Sequence, residues 1–207
     1  SLSDTALELM LMAKTGRQPS EPAESVSLNA DQLLSLAGQY ESPGLWAEIT
    51  LVDGRLHADI SGQPMVLRPV GTLAFEADGR FVHRSKIEFQ RDEQKRIVGM
   101  RALGQQFTKV PAETEAAIPR LWQSYLGSYG PDFIPLVVSA RHGHLYAMTE
   151  NMLDYRLTPV NQTVFAMPEG LYADEYLVFQ RDEHGVVHAA NLANMELKRR
   201  PQEDEAP

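Results

Sequence analysis

The stretch Phe89-Gln90-Arg91-Asp92-Glu93 recurs unchanged 90 residues later as Phe179-Gln180-Arg181-Asp182-Glu183. Repetition at a fixed distance is the sequence signature of a duplicated structural unit. The other matches keep the same order at a distance of 89 or 90 residues: Leu67-Arg68-Pro69-Val70 with Leu157-Thr158-Pro159-Val160, Phe75 with Phe165, Gly38-Gln39-Tyr40 with Gly127-Ser128-Tyr129, and Gly54-Arg55-Leu56 with Gly143-His144-Leu145. The sequence therefore predicts two tandem copies of one small module.

These matches divide the chain into segments. Residues 28–110 form the first repeat and residues 120–200 the second, with a Pro-bounded polar connector over 111–119. Residues 1–27 combine a linker with a preceding helix that is apolar nearly all round, and such a helix needs burial. We interpret this segment as the end of a preceding domain that the sequence does not contain. Residues 201–207 are an acidic tail, for which disorder is expected.

Within each repeat the apolar residues alternate, which is typical of half-buried strands. Ala47, Ile49 and Leu51 alternate with polar neighbours, and the hairpin signal Asp53-Gly54 follows them. About eight short strands are expected in each repeat, after a short helix. The predicted fold is therefore all-β, with two tandem antiparallel eight-stranded β-barrels preceded by a short α-helix. Barrels of this size are filled by their own side chains.

Composition excludes several classes of partner. The 207 residues carry a net charge of -9, which argues against nucleic acid because phosphates require a basic face. The sequence has no cysteine and no apolar run of the roughly 20 residues that a membrane-spanning helix needs. The compartment stays open between periplasmic or secreted and cytoplasmic, with the chain expected to be soluble.

No catalytic set emerges from the motifs. No lysine has a serine three residues before it, so the Ser-x-x-Lys nucleophile of penicillin-recognising enzymes is absent. Lys14-Thr15-Gly16 spells another box of those enzymes, but it is expected at the end of a helix rather than on a strand. Gly-x-Ser-x-Gly, Walker and dinucleotide glycine motifs are also absent. We predict no catalytic residues.

The histidines and carboxylates have structural interpretations. His142-Gly143-His144 occupies the turn position that Asp53-Gly54-Arg55 occupies in the first repeat, and His184-Gly185 falls in another predicted turn. The remaining histidines, His57, His83 and His188, have no companion at ligand spacing. The duplicated Arg-Asp-Glu is expected in solvated turns, and both tryptophans, Trp46 and Trp122, are expected to pack against neighbouring surfaces. We predict neither a metal site nor a cofactor.

The ordered motifs resemble a known family. Gly-x-Tyr, Asp-Gly-x-Leu, Leu-x-Pro-Val and Phe-x-Arg-Asp, in this order over residues 33–200, are similar to the lipocalin-like accessory barrels of serine hydrolases of the β-lactamase and penicillin-binding-like family (peptidase family S12). The tandem pair is most similar to the two C-terminal barrels of D-aminopeptidases. The resemblance implies a non-catalytic region that packs on the serine hydrolase catalytic domain of the parent chain, and it implies that residues 1–27 are the end of that missing catalytic domain.

The resemblance also implies a site. In that family a loop of the second barrel projects toward the active site and limits substrate choice. The matching candidate substrate-gating loop here is Met167, Pro168, Glu169, Gly170, Leu171 and Tyr172.

Three roles stay open at this point. The accessory region shapes substrate access, or it drives assembly into a homo-oligomer. The alternative from a different class is a free-standing lipocalin-like carrier of a small apolar ligand.

Overall fold

The structure is a computed structural model that describes residues 9–10, 12–16, 25–79 and 84–201. The first repeat opens with helix α1 (Ala30–Leu36), and the side chains of Asn29 and Gln32 each accept a hydrogen bond from the other's backbone N–H. This capping box satisfies donors that the first helical turn leaves free. Eight strands follow: β1 (Gly38–Glu41), β2 (Trp46–Val52), β3 (Arg55–Ile60), β4 (Gln63–Pro69), β5 (Ala74–Gly79), β6 (Ser85–Arg91), β7 (Ile97–Ala102) and β8 (Gln105–Val110).

These eight strands form a closed antiparallel barrel, as predicted for the first repeat. Each strand pairs with its neighbours in sequence, and β1 pairs with β8 to close the ring. In that last pairing Tyr40 lies opposite Lys109. Closure leaves no free edge strand, which removes a surface that would otherwise pair with other chains.

The interior of this barrel is filled by apolar side chains. The ring of Phe89 makes edge contacts with Tyr40 at 5.9 Å and with Phe75 at 5.5 Å between centroids. Such contacts add to the free energy that apolar burial already contributes. Among the largest fully buried side chains of this repeat are Tyr40, Phe75, Phe107, Leu36, Ile49, Leu56 and Ile60.

The second repeat opens with the short helix α2 (Arg120–Gln123), where the sequence predicts a helix over 119–125. Its strands are β9 (Gly127–Tyr129), β10 (Leu136–Arg141), β11 (His144–Met148), β12 (Asp154–Arg156), β13 (Thr158–Pro159), β14 (Val164–Ala166), β15 (Tyr176–Arg181), β16 (Val187–Leu192) and β17 (Met195–Lys198). They form two antiparallel sheets, one of four strands in the order β12-β11-β10-β9 and one of five in the order β13-β14-β15-β16-β17.

The second repeat does not form the closed barrel that its sequence predicts, because its strands lie in two separate sheets. The counterpart of β4 is divided at Leu157 into β12 and β13, which belong to different sheets. A five-residue turn over 149–153 replaces the tight turn at Ser61, so the ladder between β11 and β12 contains three pairs. At the other junction, an isolated bridge joins Tyr129 to Arg199.

Equivalent positions of the two repeats nevertheless share local geometry. The hydroxyl of Tyr40 donates to the carbonyl of Leu36 at 2.6 Å, and that of Tyr129 donates to the carbonyl of Tyr125 at 2.7 Å. A bulge follows Gln90 in β6 and the matching residue Gln180 in β15. Tyr40 and Tyr129 thus lie in the corresponding strands β1 and β9, and Gln90 and Gln180 lie in the corresponding strands β6 and β15.

The segments outside the repeats are described only in part. Residues 9–10 and 12–15 are helical, and Leu9 and Met10 are exposed. The remaining positions of the predicted N-terminal helix, part of its linker and the tail 202–207 lie outside the described residues. Among the described helices, none has the length and apolar character needed to cross a membrane.

Candidate functional site

The predicted gating segment, residues 167–172, is a short connection at one end of the second repeat. Met167 is buried in the apolar core of that repeat, whereas Leu171 is 61% exposed. Gly170 has a φ of 148°, and a Cβ there would lie 2.8 Å from the ring and hydroxyl of Tyr155. The segment is therefore anchored at Met167 and Gly170 and presents Leu171 outward, while Tyr172 is half-buried against the core of the repeat.

An apolar groove of about 270 Å³ lies beside this segment. Tyr172 forms one wall and donates a 2.7 Å hydrogen bond from its hydroxyl to Glu150. Burial, followed by the hydrogen bond and charge of Glu150, raises the pKa of Tyr172 to about 12. The groove is lined by Pro131, Ile134, Leu136, Glu150, Tyr172, Leu192, Met195 and Leu197.

Large apolar side chains lie exposed in this groove and beside it in the chain. The groove residues Ile134 and Met195 are 41% and 49% exposed, and Phe133, which precedes Ile134, is 87% exposed. We call Phe133, Ile134 and Met195 the apolar end surface. Large exposed apolar patches mark sites of contact with another molecule or domain.

A second candidate site lies where the two repeats meet. The indole Nε1 of Trp46, in β2, donates a 2.8 Å hydrogen bond to Oδ2 of Asp154, in β12. The backbone N–H of Asp154 donates to the carbonyl of Gly44 at 2.7 Å. The guanidinium carbon of Arg141 lies 3.9 Å from the centroid of the Trp46 ring, a cation–π contact. Trp46 thus packs against a neighbouring surface, as predicted.

A charged network continues this contact. Arg156 of the second repeat donates to Glu41 at 2.8 Å and to Glu113 at 3.0 Å. The connector is fixed here as well, because the backbone N–H of Glu113 donates to the side chain of Gln39 at 2.7 Å. Burial opposes ionisation of Glu113, but the hydrogen bond and charge of Arg156, with the neighbouring histidines, hold its pKa below the usual value.

A cleft of about 510 Å³ opens between the repeats next to Trp46. Asp154 is 5% exposed, and Asp59 on β3 is partly buried. Burial raises the pKa of both carboxyl groups, against the opposing effects of their hydrogen bonds and of Arg141. The cleft is lined by Trp46, Glu48, Asp59, Ser61, Gly62, Glu115, Val137, Ser139, Ala140, Arg141, His142, Met148 and Asp154.

The histidines occupy the predicted positions but include contacts that the sequence analysis missed. His142 and Gly143 form the predicted turn. The ring of His142 nevertheless lies 3.2 Å from the amide nitrogen of Gln39, and that of His144 lies 2.7 Å from a guanidinium nitrogen of Arg156. His142 therefore contacts the first repeat, and His144 lies beside Arg156, which pairs with Glu41 of the first repeat. His184 lies in its turn, and His83 falls outside the described residues.

The other residues singled out from the sequence have structural roles. Asp92 and Asp182 each accept backbone hydrogen bonds in the turn that follows their strand. Trp122 contacts the ring of Phe165 at 5.2 Å. Lys14 and Thr15 are helical, so they do not form the strand that the penicillin-recognising box requires. In the described part of the chain, no group of three histidine or acidic side chains is placed to hold a metal ion.

The residues that build the contact between repeats were missed, although the sequence contains a signal for them. At the repeat offset, Arg141 and Arg156 replace Val52 and Val66, and Asp154 replaces Pro64. Val52 and Val66 are 47% and 44% exposed on the outside of the first barrel. The second repeat thus has charged residues at positions where the first repeat has exposed apolar ones. These charged residues mark the face of the second repeat that contacts the first.

Comparison of the sequence with protein-family models and with curated proteins gives no match. The function must consequently be inferred from the apolar end surface and from the cleft between the repeats.

Proposed function

We propose that this chain is a non-catalytic accessory region of a serine hydrolase of the β-lactamase and penicillin-binding-like family. In this proposal the apolar end surface packs on the catalytic domain, and the segment 167–172 shapes substrate access. The observation that carries the proposal is the exposure of Ile134 and Met195 in an apolar groove that Tyr172 borders, with Phe133 exposed next to Ile134 in the chain.

The physical reason is the unfavourable hydration of these side chains. Exposed apolar area costs about 25 cal/mol per Å² relative to burial, so a neighbouring domain that covers Phe133 gains free energy. The groove offers a concave, largely apolar surface for a side chain of that domain. Tyr172 borders the same groove, so a domain docked there would contact the gating segment.

We further propose that both repeats derive from one lipocalin-like barrel. In this proposal the second repeat is a tandem barrel whose strand pairing is interrupted at Leu157 and at Tyr129. Two features support this relation. Leu157 donates its N–H to the carbonyl of Leu145 at 2.8 Å, bridging the interruption, and the N–H of Arg200 donates to the carbonyl of Ser128 at 2.8 Å across the other junction.

The test uses the full product of the reading frame that contains this chain. That frame is inspected for Ser-x-x-Lys and Tyr-x-Asn, and the purified product is treated with a fluorescent penicillin. We expect the full product to be labelled and residues 1–207 alone to remain unlabelled, because they contain no Ser-x-x-Lys. Labelling of residues 1–207, or a frame without these motifs, contradicts the proposal.

A matched pair of variants of the full product tests the docking surface. Phe133→Ser is expected to lower the thermal midpoint of hydrolase inactivation and to change KM for bulky substrates. Val186→Ser is the control, since Val186 is 56% exposed in the turn between β15 and β16 rather than at the groove. Equal behaviour of the two variants would refute docking through the apolar end surface.

The alternative, a carrier of a small apolar ligand, is favoured by the apolar walls of the groove. The packed aromatic side chains inside the first barrel oppose a lumenal site there. Titration with a dansylated fatty acid, followed by displacement with oleate, distinguishes the two. Micromolar binding that Met195→Ser abolishes in residues 1–207 would favour the carrier, whereas the accessory role predicts no saturable binding.

A further inference from the structure

We propose that the cleft between the two repeats binds a small organic cation, an ammonium or guanidinium group, through the carboxylates of Asp59 and Asp154. This inference is independent of the hydrolase proposal, because it involves neither the apolar end surface nor the gating segment.

The two carboxylates have incomplete hydrogen bonding. Oδ2 of Asp154 accepts the indole N–H of Trp46 at 2.8 Å, but its buried Oδ1 accepts no hydrogen bond from the described residues. The buried Oδ1 of Asp59 likewise has no partner among them. Buried carboxylate oxygens are almost always paired in proteins, and leaving them unpaired is costly. Both residues line the cleft, so a bound cation with N–H donors supplies the missing partners once the two carboxylates turn toward it.

The charge around the cleft is predominantly negative. Four carboxylates line it, from Glu48, Asp59, Glu115 and Asp154, against the guanidinium of Arg141 and the imidazole of His142. The carboxylates therefore outnumber the basic side chains of the lining by four to two. Arg141 is already engaged, since its Nη2 lies 3.4 Å from Oε2 of Glu48. The field of the cleft therefore favours a positively charged ligand.

The size and lining of the cleft indicate the kind of cation. A volume of about 510 Å³ exceeds what a bare metal ion occupies, and the described residues contain no cluster of three metal-ligating side chains. The Trp46 indole supplies an apolar wall that already carries the guanidinium of Arg141 at 3.9 Å. Carboxylates beside an aromatic face are the chemistry that recognises organic ammonium and guanidinium groups.

The two tryptophans make a direct test feasible. The sequence contains only Trp46 and Trp122, so a ¹⁵N-labelled sample gives two indole cross-peaks. The indole of Trp46 is bonded to Asp154, whereas Trp122 packs on Phe165 within the second repeat. Titration of residues 1–207 with n-butylammonium chloride should shift the Trp46 cross-peak saturably and leave that of Trp122 in place. Agmatine, which carries a guanidinium group, forms a second arm.

Three controls define the outcome. Butan-1-ol and sodium chloride at equal concentrations should not reproduce the shift, because neither supplies a charged N–H donor. Asp59→Asn should weaken binding about tenfold or more, the effect of losing one charge-assisted hydrogen bond. Asp53→Asn, a matched change in the exposed β2–β3 turn, should leave the affinity unchanged.

Asp59→Asn is preferred over Asp154→Asn for this test because it does not change the residue that accepts the hydrogen bond of the Trp46 probe. The absence of a saturable shift with both amines would overturn the proposal. An equal shift with sodium chloride, or equal affinities of Asp59→Asn and Asp53→Asn, would overturn it as well. If magnesium chloride alone shifts Trp46 saturably and the amines do not, the cleft is a metal site and the assignment to an organic cation is wrong.

Discussion

The indole of Trp46 in the first repeat donates a 2.8 Å hydrogen bond to the carboxylate of Asp154 in the second. The same aspartate receives no second donor at Oδ1 from the described residues, although it is 5% exposed. Oδ2 therefore links the two repeats, whereas Oδ1 accepts no hydrogen bond from the described residues. This asymmetry makes Asp154 both an element of stability and a source of pH dependence.

The first prediction concerns Asp154→Asn. Burial raises the pKa of Asp154 in the folded chain, so the folded state holds this proton more tightly than the unfolded state. Its contribution to the free energy of unfolding is most favourable below the unfolded pKa of about 3.9 and falls as pH rises through the folded pKa. The asparagine oxygen can still accept from Trp46. The variant should therefore gain stability relative to the wild type as pH rises from about 4 towards neutrality.

Urea denaturation at several pH values measures this difference. Asp53→Asn provides the control, because its carboxylate is exposed in the β2–β3 turn. A difference between Asp154→Asn and wild type that stays constant with pH would contradict the assignment of a raised pKa.

The second prediction uses the duplicated tyrosines. Tyr40→Phe and Tyr129→Phe each remove a hydroxyl that donates to the carbonyl four residues earlier. Each change leaves a carbonyl without that partner and should cost about 1–2 kcal/mol of unfolding free energy. The two losses should be similar because the geometry is repeated. Circular dichroism during urea denaturation tests this, and a loss confined to one repeat would show that the two positions are not equivalent.

The third prediction concerns the ion pair between the repeats. Glu41 and Arg156 are joined by a 2.8 Å bond, and their side chains are 26% and 32% exposed. Because solvent screens a pair of this exposure, its coupling should be about 0.5–1 kcal/mol. A double-mutant cycle with Glu41→Gln and Arg156→Gln measures it. The coupling should fall in sodium chloride of about 1 M, where the screening length is about 3 Å, and a coupling that does not respond to salt would require another origin.

The fourth prediction concerns Gly99 in β7. A Cβ at this position would lie 2.3 Å from the carbonyl oxygen of Phe107 on the neighbouring strand β8. Gly99→Ala must therefore displace backbone, and it should destabilise the first barrel by about 1–3 kcal/mol. Val98→Ala is the matched control, since Val98 is 41% exposed next to it. Thermal denaturation measures the midpoints of both variants. Equal midpoints would contradict the close approach of β8 to Gly99.

Sequence periodicity predicted the closed first barrel because its determinants are local. Alternating apolar residues such as Ile49 and Leu51 specify strands, and Asp53-Gly54 specifies a turn that the structure places at positive φ. Adjacent hairpins then pair in order, so the sheet follows from the chain sequence. The interruption at Leu157 does not follow from these local patterns, because it depends on how far the 149–153 turn delays the next strand.

The duplication, the all-β class and the absence of a Ser-x-x-Lys nucleophile were determined by the sequence alone, because each is a pattern of residue types along the chain. Tertiary structure alone decided that Trp46 meets Asp154, 108 residues away, and that Asp59 lines the same cleft. The way two repeats pack depends on the shapes and charges of whole surfaces rather than on spacing. The repeat offset marks Arg141, Asp154 and Arg156 as exceptions, but only the folded chain brings them to Trp46, Glu48 and Glu41.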